Sequence, residues 1–562
     1  MNRFSIPSET SREHGLMHDA VTLFAADRKS IESRFDGPYS LERRIRLREL
    51  YDAWSVWLDS LDWPALSRPD QVDATLLGIF IASERTCLDM EETRFEEMSV
   101  AWPAIHDMVG LLDARRKLDD TDPRDAARCL CDASAGLSSL ASQAAGGVSP
   151  VLANRLAGFL DKLKKSLAEW HAFRAGYDPE FTWWLASPYH RFEENLTKAV
   201  EALRRSNVEP TASEEIVGDP VGREGLVQDL SAAMIPYTPE ELIRIGEIEM
   251  TWCRAEMASA ARDMGLADDW RGALERVKDD HVPPGRQAMF VRDLAREAVA
   301  FVIEHDLMTI PELALDGWRI EMMPPERQKV NPFFLGGEAI IVSYPTDAMD
   351  HELKLMSMRG NNRHFSRATV QHELIPGHFM QHYCGERYRP YRRLFRTPFW
   401  TEGWTLYWEL RLWDLGFPRT PEERIGMLFW RMHRCARIVF SLRFHMGEMT
   451  AGDCVEMLVQ EVGHERATAE GEVRRSFGGD YPPLYQCAYM IGGLQMRALH
   501  REMVLERGMS ERQFHDAVMR ENCMPIAMLR AILRDDPIER HALPTWRFYG
   551  EISQSGSTVA PL

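Results

Sequence analysis

A chain of 562 residues with 45% hydrophobic and 10% aromatic content can build a large core or several domains, and is too apolar for wholesale disorder. Its 67 basic and 86 acidic residues leave a formal charge of −19, which opposes a general nucleic-acid-binding role, since that needs a basic footprint. The nine cysteines are scattered and odd in number, arguing for reduced thiols over a disulfide scaffold. The opening MNRFSIPSETSREHGLMHDA lacks a signal-peptide core and no long apolar run follows, so the expectation is a cytoplasmic protein with no membrane span.

Residues 1–206 read as an N-terminal helical lobe. Leu41–Leu61 and Val151–Phe173 carry apolar residues at helical spacing, and prolines at 64, 69, 103, 123 and 150 fall where helices should break. Residues 207–227, NVEPTASEEIVGDPVGREGLV, read as a linker. Helix is expected to resume at Thr238-Pro239-Glu240-Glu241, with Thr238 as N-cap. Trp318–Met323 and Ala339–Tyr344 are short and β-prone, and predict a small hairpin or sheet beside the site. From Ser366 nearly to Arg534 the pattern is helical, so residues 228–550 form a second helical lobe, and residues 551–562 a loose tail.

The chemistry concentrates in Gln371-His372-Glu373-Leu374-Ile375-Pro376-Gly377-His378. Zinc hydrolases of the H-E-x-x-H type place two His one helical turn apart, with the Glu beside the first as general base on the metal-bound water. Here the second His is at i+6, about 240° away around an ideal helix, so a regular helix would not aim both at one metal. Pro376 and Gly377 permit a bulge that turns His378 back toward His372. His378 and His382 form an alternative i, i+4 pair, but that pairing strands Glu373 five residues before the first ligand. A catalytic zinc needs a third protein ligand and an open position, and Thr401-Glu402-Gly403-Trp404-Thr405-Leu406-Tyr407-Trp408-Glu409 offers two carboxylates, Glu402 and Glu409, on one helix face. One would bind metal while the other holds a ligand histidine or a substrate amine. The bland alternatives are a buried polar turn for His372, Glu373 and His378, and a helix-capping role for Glu402.

H-E-x-x-P-G-H followed by E-G-W-x-L-Y-x-E resembles a bacterial group of zinc-peptidase-like proteins designated domain of unknown function 885. Arg437-Ile438-Val439 through His445, Glu472-Val473-Arg474-Arg475 and Tyr489-Met490-Ile491-Gly492 follow that group's order. The resemblance implies a mainly α, two-lobed metallopeptidase-like fold, with Zn2+ held by His372, His378 and Glu402 and with Glu373 as base. Three places depart from the group's usual pattern. Pro482-Pro483-Leu484 stands where Pro-Gly-Gln is common, Thr405 where Ala is common, and Ser441-Leu442 near a common Asp-Thr; these bear on substrate preference.

Tyr489 and His445 are candidate donors to a tetrahedral oxyanion; a core tyrosine and a packed helix histidine are their plain alternatives. Arg387, Arg389, Arg392, Arg393 and Arg396 form either a solvated loop or a substrate-carboxylate clamp, with Arg387 and Arg392 as the chosen contacts. Ala339–Tyr344 is either a structural strand or an edge that pairs with a peptide. The expected activity is hydrolysis of a short peptide or amide. A di-iron carboxylate oxidase would need two Glu-x-x-His motifs, and only Glu461-Val462-Gly463-His464 is evident. A non-catalytic, zinc-stabilised binding protein is the alternative outside enzymes. Walker loops, G-x-G-x-x-G and G-x-S-x-G are absent from the sequence.

Overall fold

The computed structural model describes residues 4, 6, 15–144, 147–205, 216–324, 328, 334–479, 481–541 and 543–550. The chain is mainly helical and divides into two compact units, Met1–Asp219 and Pro220–Leu562.

In the first unit, the described residues form long helices: Leu16–Arg34, Leu41–Ser60, Arg68–Ala101, Ile105–Lys117, Pro123–Gln143, Pro150–Ala172 and Pro179–Arg205. Several of the prolines expected between helices open them instead. Pro69, Pro123 and Pro150 sit in first turns, behind Ser67, Asp122 and Ser149, whose side chains accept the orphan backbone N–H groups. The apolar stripes, including Leu130, Leu137, Leu156, Leu160, Phe181 and Leu196, are almost wholly buried together around Trp102. Each such side chain contributes roughly 1.5–3 kcal/mol of burial free energy.

In the second unit, Thr238 caps the helix Pro239–Asp263 through a capping box: Glu241 N–H donates to Thr238 Oγ1, and Thr238 N–H to Glu241 Oε2. That helix packs on Pro421–His445, which also carries Arg363–Glu373; Pro398–Asp414 packs along Tyr485–His500. Two expectations need correction, and the structure decides a third between sheet and hairpin. Helix Gly222–Ala232 occupies the end of the supposed linker, residues 216–221 before it are non-helical, and residues 207–215 of its span lie outside the described residues, as does the 551–562 tail. Helix returns at His351–Gly360, capped by Asp350, before the expected Ser366. The two strands, β1 (Arg319–Met322) and β2 (Ala339–Val342), form a parallel pair in register from Arg319↔Ala339 to Met322↔Val342, so the sheet is not a hairpin. Parallel strands need a crossover rather than a tight turn. Just before β2, Leu335 pairs antiparallel with Ile341, so both edges of β2 carry backbone partners, leaving it ill suited to pairing with a peptide.

Candidate metal centre

Helix Arg363–Glu373 starts behind Asn362, whose side chain accepts from His364 N–H and Phe365 N–H. It stops where Leu374 leaves helical geometry at φ −109°, ψ −110°, and a second helix, His378–Gly385, starts four residues later. The chain therefore breaks into two helices and does not bulge within one. Gly377 N–H donates to the Gln371 carbonyl at 3.0 Å, and Trp404 Nε1–H donates to the Pro376 carbonyl at 2.9 Å. Glycine is required at 377: a Cβ there would lie 1.8 Å from the His372 carbonyl oxygen. The Trp of Glu402-Gly403-Trp404 thus pins the turn that carries His378.

This turn brings the His372 and His378 rings to 5.0 Å between centroids. Glu402 Oε2 lies 3.8 Å from His372 Nε2 and 3.3 Å from His378 Nε2, and it is buried with no hydrogen-bond partner among the described residues. Its other oxygen accepts from the Tyr485 hydroxyl. Glu409 Oε1 sits 2.6 Å from His372 Nδ1, fixing that ring and leaving Nε2 to face the centre. Glu373 joins the two histidines, with ligand atoms of the three residues all within 4.8 Å of one another. Its carboxylate lies against Gly336, where a Cβ would stand 2.1 Å from Oε2.

The electrostatics favour a cation. Burial alone would push the Glu402 carboxyl up, but His378 and His372 hold it well below the usual carboxylate range. Burial works against a charged His372, yet Glu402 and Glu409 lift its pKa to about 9. Burial raises Glu373 above the ordinary carboxylate value, opposed by His372 and His378. Tetrahedral zinc with bonds of about 2.0–2.1 Å holds its donors roughly 3.3 Å apart. The two imidazole nitrogens and the orphaned Glu402 oxygen fit that donor set and approach that spacing.

Helices Pro398–Asp414 and Tyr485–His500 meet glycine to glycine. A Cβ on Gly403 would be 2.6 Å from the Gly492 backbone, and one on Gly492 would be 2.4 Å from the Phe399 carbonyl oxygen. This close approach sets Tyr485 and Tyr489 beside Glu402. Tyr489 is buried, its ring 6.2 Å from that of His372 and 4.6 Å from the guanidinium carbons of both Arg434 and Arg437. Burial raises its pKa to about 12, so it stays a proton donor near neutrality.

The other sequence candidates lie elsewhere. His382 lines the cavity but faces Glu338 at 3.4 Å. His445, near the C-terminal end of its helix, packs against Phe444 and Phe477, off the cavity wall. Arg387 stacks on Tyr383 and donates to that residue's carbonyl. Arg392 is buried and bound to the Glu521 carboxylate and carbonyl. Neither arginine lines the cavity; Arg393 and Arg396 do. Glu461 pairs with Arg254, and His464 Nε2 lies 2.8 Å from His433 Nδ1, so the Glu-x-x-His motif does not join the metal centre. The cavity has a volume of about 340 Å³, and its wall also includes Arg434, Arg437, Arg475, Tyr481 and Tyr485. Their signal was present as spacing: Tyr485 and Tyr489 are i, i+4, and Arg434 and Arg437 are i, i+3, each pair on one helix face.

A mainly helical chain with a buried His–His–Glu cluster at a helix break is the class that fold and site define. The chain belongs to the family described as bacterial protein of unknown function, DUF885, whose model matches residues 27–533. Among solved structures it is similar to a candidate lipoprotein of unknown function from Shewanella oneidensis, at TM-score 0.66 and 15% identity, covering 92% of this chain and 99% of that one. A candidate lipoprotein from Colwellia psychrerythraea aligns at TM-score 0.57 and 14% identity, covering 92% and 97%. These likenesses concern the fold alone. A search of curated proteins gave no match. No described helix is long and apolar enough to cross a membrane.

Proposed function

We propose that this chain is a zinc-dependent hydrolase, a metallopeptidase-like helical protein acting on short peptides, with Glu373 as general base. The observation that carries this reading is the convergence of His372 Nε2, His378 Nε2 and the unpartnered Glu402 Oε2 beside the Glu373 carboxylate. Zinc held by His372, His378 and Glu402 would supply Lewis acidity toward a carbonyl oxygen and lower the pKa of water. Glu373 accepts a proton from the attacking water and passes it to the leaving amine. Tyr489 donates to the developing oxyanion, a contribution of about 3 kcal/mol when the donor is preorganised. Glu409 and Tyr485 orient His372 and Glu402. The 340 Å³ cavity is at the small end for ligand pockets, which favours short substrates. We assign a cytoplasmic location on the cysteine pattern; cell fractionation tests it against the envelope location that the neighbours' lipoprotein descriptions suggest.

Metal content by mass spectrometry and a peptide-library screen test the reading together. About one zinc per chain is expected, lost in His372→Ala, His378→Ala and Glu402→Ala. Glu373→Gln should keep the zinc and lose roughly 10²–10⁴-fold in rate. Stoichiometric zinc surviving His378→Ala would sink the site. An unchanged rate in Glu373→Gln would point to a zinc-stabilised binding protein, and two irons per chain to the oxidase.

A further inference from the structure

The cavity wall also carries three arginines whose charge the neighbouring carboxylates only partly offset. Arg434 and Arg437 come from helix Pro421–His445 and Arg475 from helix Arg466–Phe477. Glu472 faces two of them: its Oε1 accepts from Arg437 Nε at 2.6 Å, and it also acts electrostatically on Arg475. Glu409 lies 3.7 Å from Arg434 but is already committed to His372. His433, 3.8 Å from Glu472, adds no charge to the balance, because burial and Arg437 push its pKa well below the usual histidine value. Glu373 also acts electrostatically on Arg434, so Arg434 has two carboxylates near it while Arg437 and Arg475 share Glu472.

Their donors are also incompletely used. Arg437 is 1% exposed, and its Nη1 has no hydrogen-bond partner among the described residues; the same holds for Nε of Arg434 and of Arg475. A buried cation with unmet donors is costly, and planar guanidiniums suit a carboxylate, which they bind through paired hydrogen bonds. The tyrosines fix the distance. The Tyr489 ring neighbours both His372 and Arg437, and Arg475 lies over Tyr481, whose ring is 4.3 Å from that of Tyr485, the residue bonded to Glu402. Arg437 thus lies one ring and Arg475 two rings from a metal ligand, spans that one or two residues of extended chain cover at about 3.3–3.6 Å each.

We propose that Arg437 and Arg475 bind the C-terminal carboxylate of the substrate, so that the chain removes one or two residues from a free C-terminus. This rests on the peptidase reading above and names its substrate class. The carboxylate clamp expected of Arg387 and Arg392 thereby moves to cavity-lining arginines on two later helices.

Binding separates the two ideas. Trialanine and trialanine amide are titrated calorimetrically into the zinc-loaded Glu373→Gln full chain. The free acid should bind about 10- to 100-fold more tightly. Arg475→Gln, at a half-buried position, should erase that preference without moving the amide's affinity. Arg437→Lys, which keeps the charge but not the fork, should reduce it; circular dichroism checks that both variants fold. Equal affinity for acid and amide overturns the proposal, as does a preference that survives both variants. An amidated peptide with a glutamyl side chain that binds like trialanine overturns the assignment to the chain terminus. If the zinc-loaded wild type cleaves acid and amide with equal kcat/KM, the carboxylate site fails while the peptidase reading stands. If the chain binds the acid selectively but hydrolyses neither, hydrolysis fails and the carboxylate site stands.

Discussion

Gly377→Ala tests the turn on which the whole centre depends. The added Cβ would lie 1.8 Å from the His372 carbonyl oxygen, 2.4 Å from its carbon and 2.5 Å from the Gln371 carbonyl oxygen. All three are backbone atoms of one helix end, so no side-chain rotation relieves the overlap. Gly377 has φ −81°, so the penalty is steric contact and owes nothing to a left-handed backbone. Overpacking commonly costs 1–3 kcal/mol. Swinging the turn away instead forfeits the Gly377–Gln371 and Trp404–Pro376 hydrogen bonds, about 1 kcal/mol each. Either route destabilises the second unit by about 2–3 kcal/mol and displaces His378. If a structural zinc yields about 10–16 kcal/mol over four ligands, losing one weakens binding on the order of 10²–10³-fold. Zinc affinity is read against a competing chelator, and stability by urea unfolding. Gly336→Ala is the contrast: its Cβ overlaps Glu373 Oε2, the end of a side chain that can rotate, and meets the Glu373 carbonyl oxygen and His378 Cβ at 3.1 Å each, so zinc affinity should fall far less than in Gly377→Ala while hydrolysis falls. Gly377→Ala with wild-type zinc affinity and urea midpoint would refute the reasoning.

Glu409→Ala frees the His372 ring and should weaken zinc binding 10- to 100-fold, measured by the same competition; an unchanged affinity would remove Glu409 from the centre. Gly403→Ala gains about 1 kcal/mol of helix propensity but drives a methyl into the Gly492 backbone, so a net loss of at least 1 kcal/mol is expected in urea melts. His515 is buried, with Nδ1 2.7 Å from the Leu307 carbonyl and Nε2 2.7 Å from the Tyr407 hydroxyl; burial lowers its pKa to about 3. Its folded pKa lies below the unfolded value near 6.5, so its neutral form supports the fold above about pH 6.5, and that support fades as pH falls toward 3, by about 1.4 kcal/mol per unit. His515→Gln should therefore show a shallower loss of stability than wild type between pH 6 and 4, and parallel curves would sink this account.

Local rules made much of the second unit legible. Thr238, Pro239 and Glu241 form a capping box because their spacing places each donor opposite its acceptor. The Pro376-Gly377 pair marks a distortion that returns His378 to His372, but it reads as a bulge within one helix; that the helix ends and a second begins depends on how the turn packs, with Gly377 against the His372 carbonyl and Trp404 on Pro376. The parallel pairing of β1 and β2 was not legible, because alternation within four residues specifies a strand and not its partner's direction. The arginines show a different limit. Clustering along the chain singled out Arg387 and Arg392, yet a 3-10 turn at Pro390–Phe395 directs Arg392 to Glu521, while Arg437 and Arg475 meet only because two distant helices pack together. Likewise, helix spacing reported that Tyr485 and Tyr489 share a face but not that this face meets Glu402, which depends on Gly403 and Gly492.

That glycine crossing constrains how the site can change under substitution. With no side chains between the two backbones, substitution at the crossing cannot retune the distance from Glu402 to Tyr485 in small steps; any added atom is a large step. Gradual change is then left to other parts of the cavity wall: the Phe334–Gly337 stretch, Tyr481 and the arginines. A comparison of relatives should find the helix pair nearly invariant in spacing and those parts of the wall diverse.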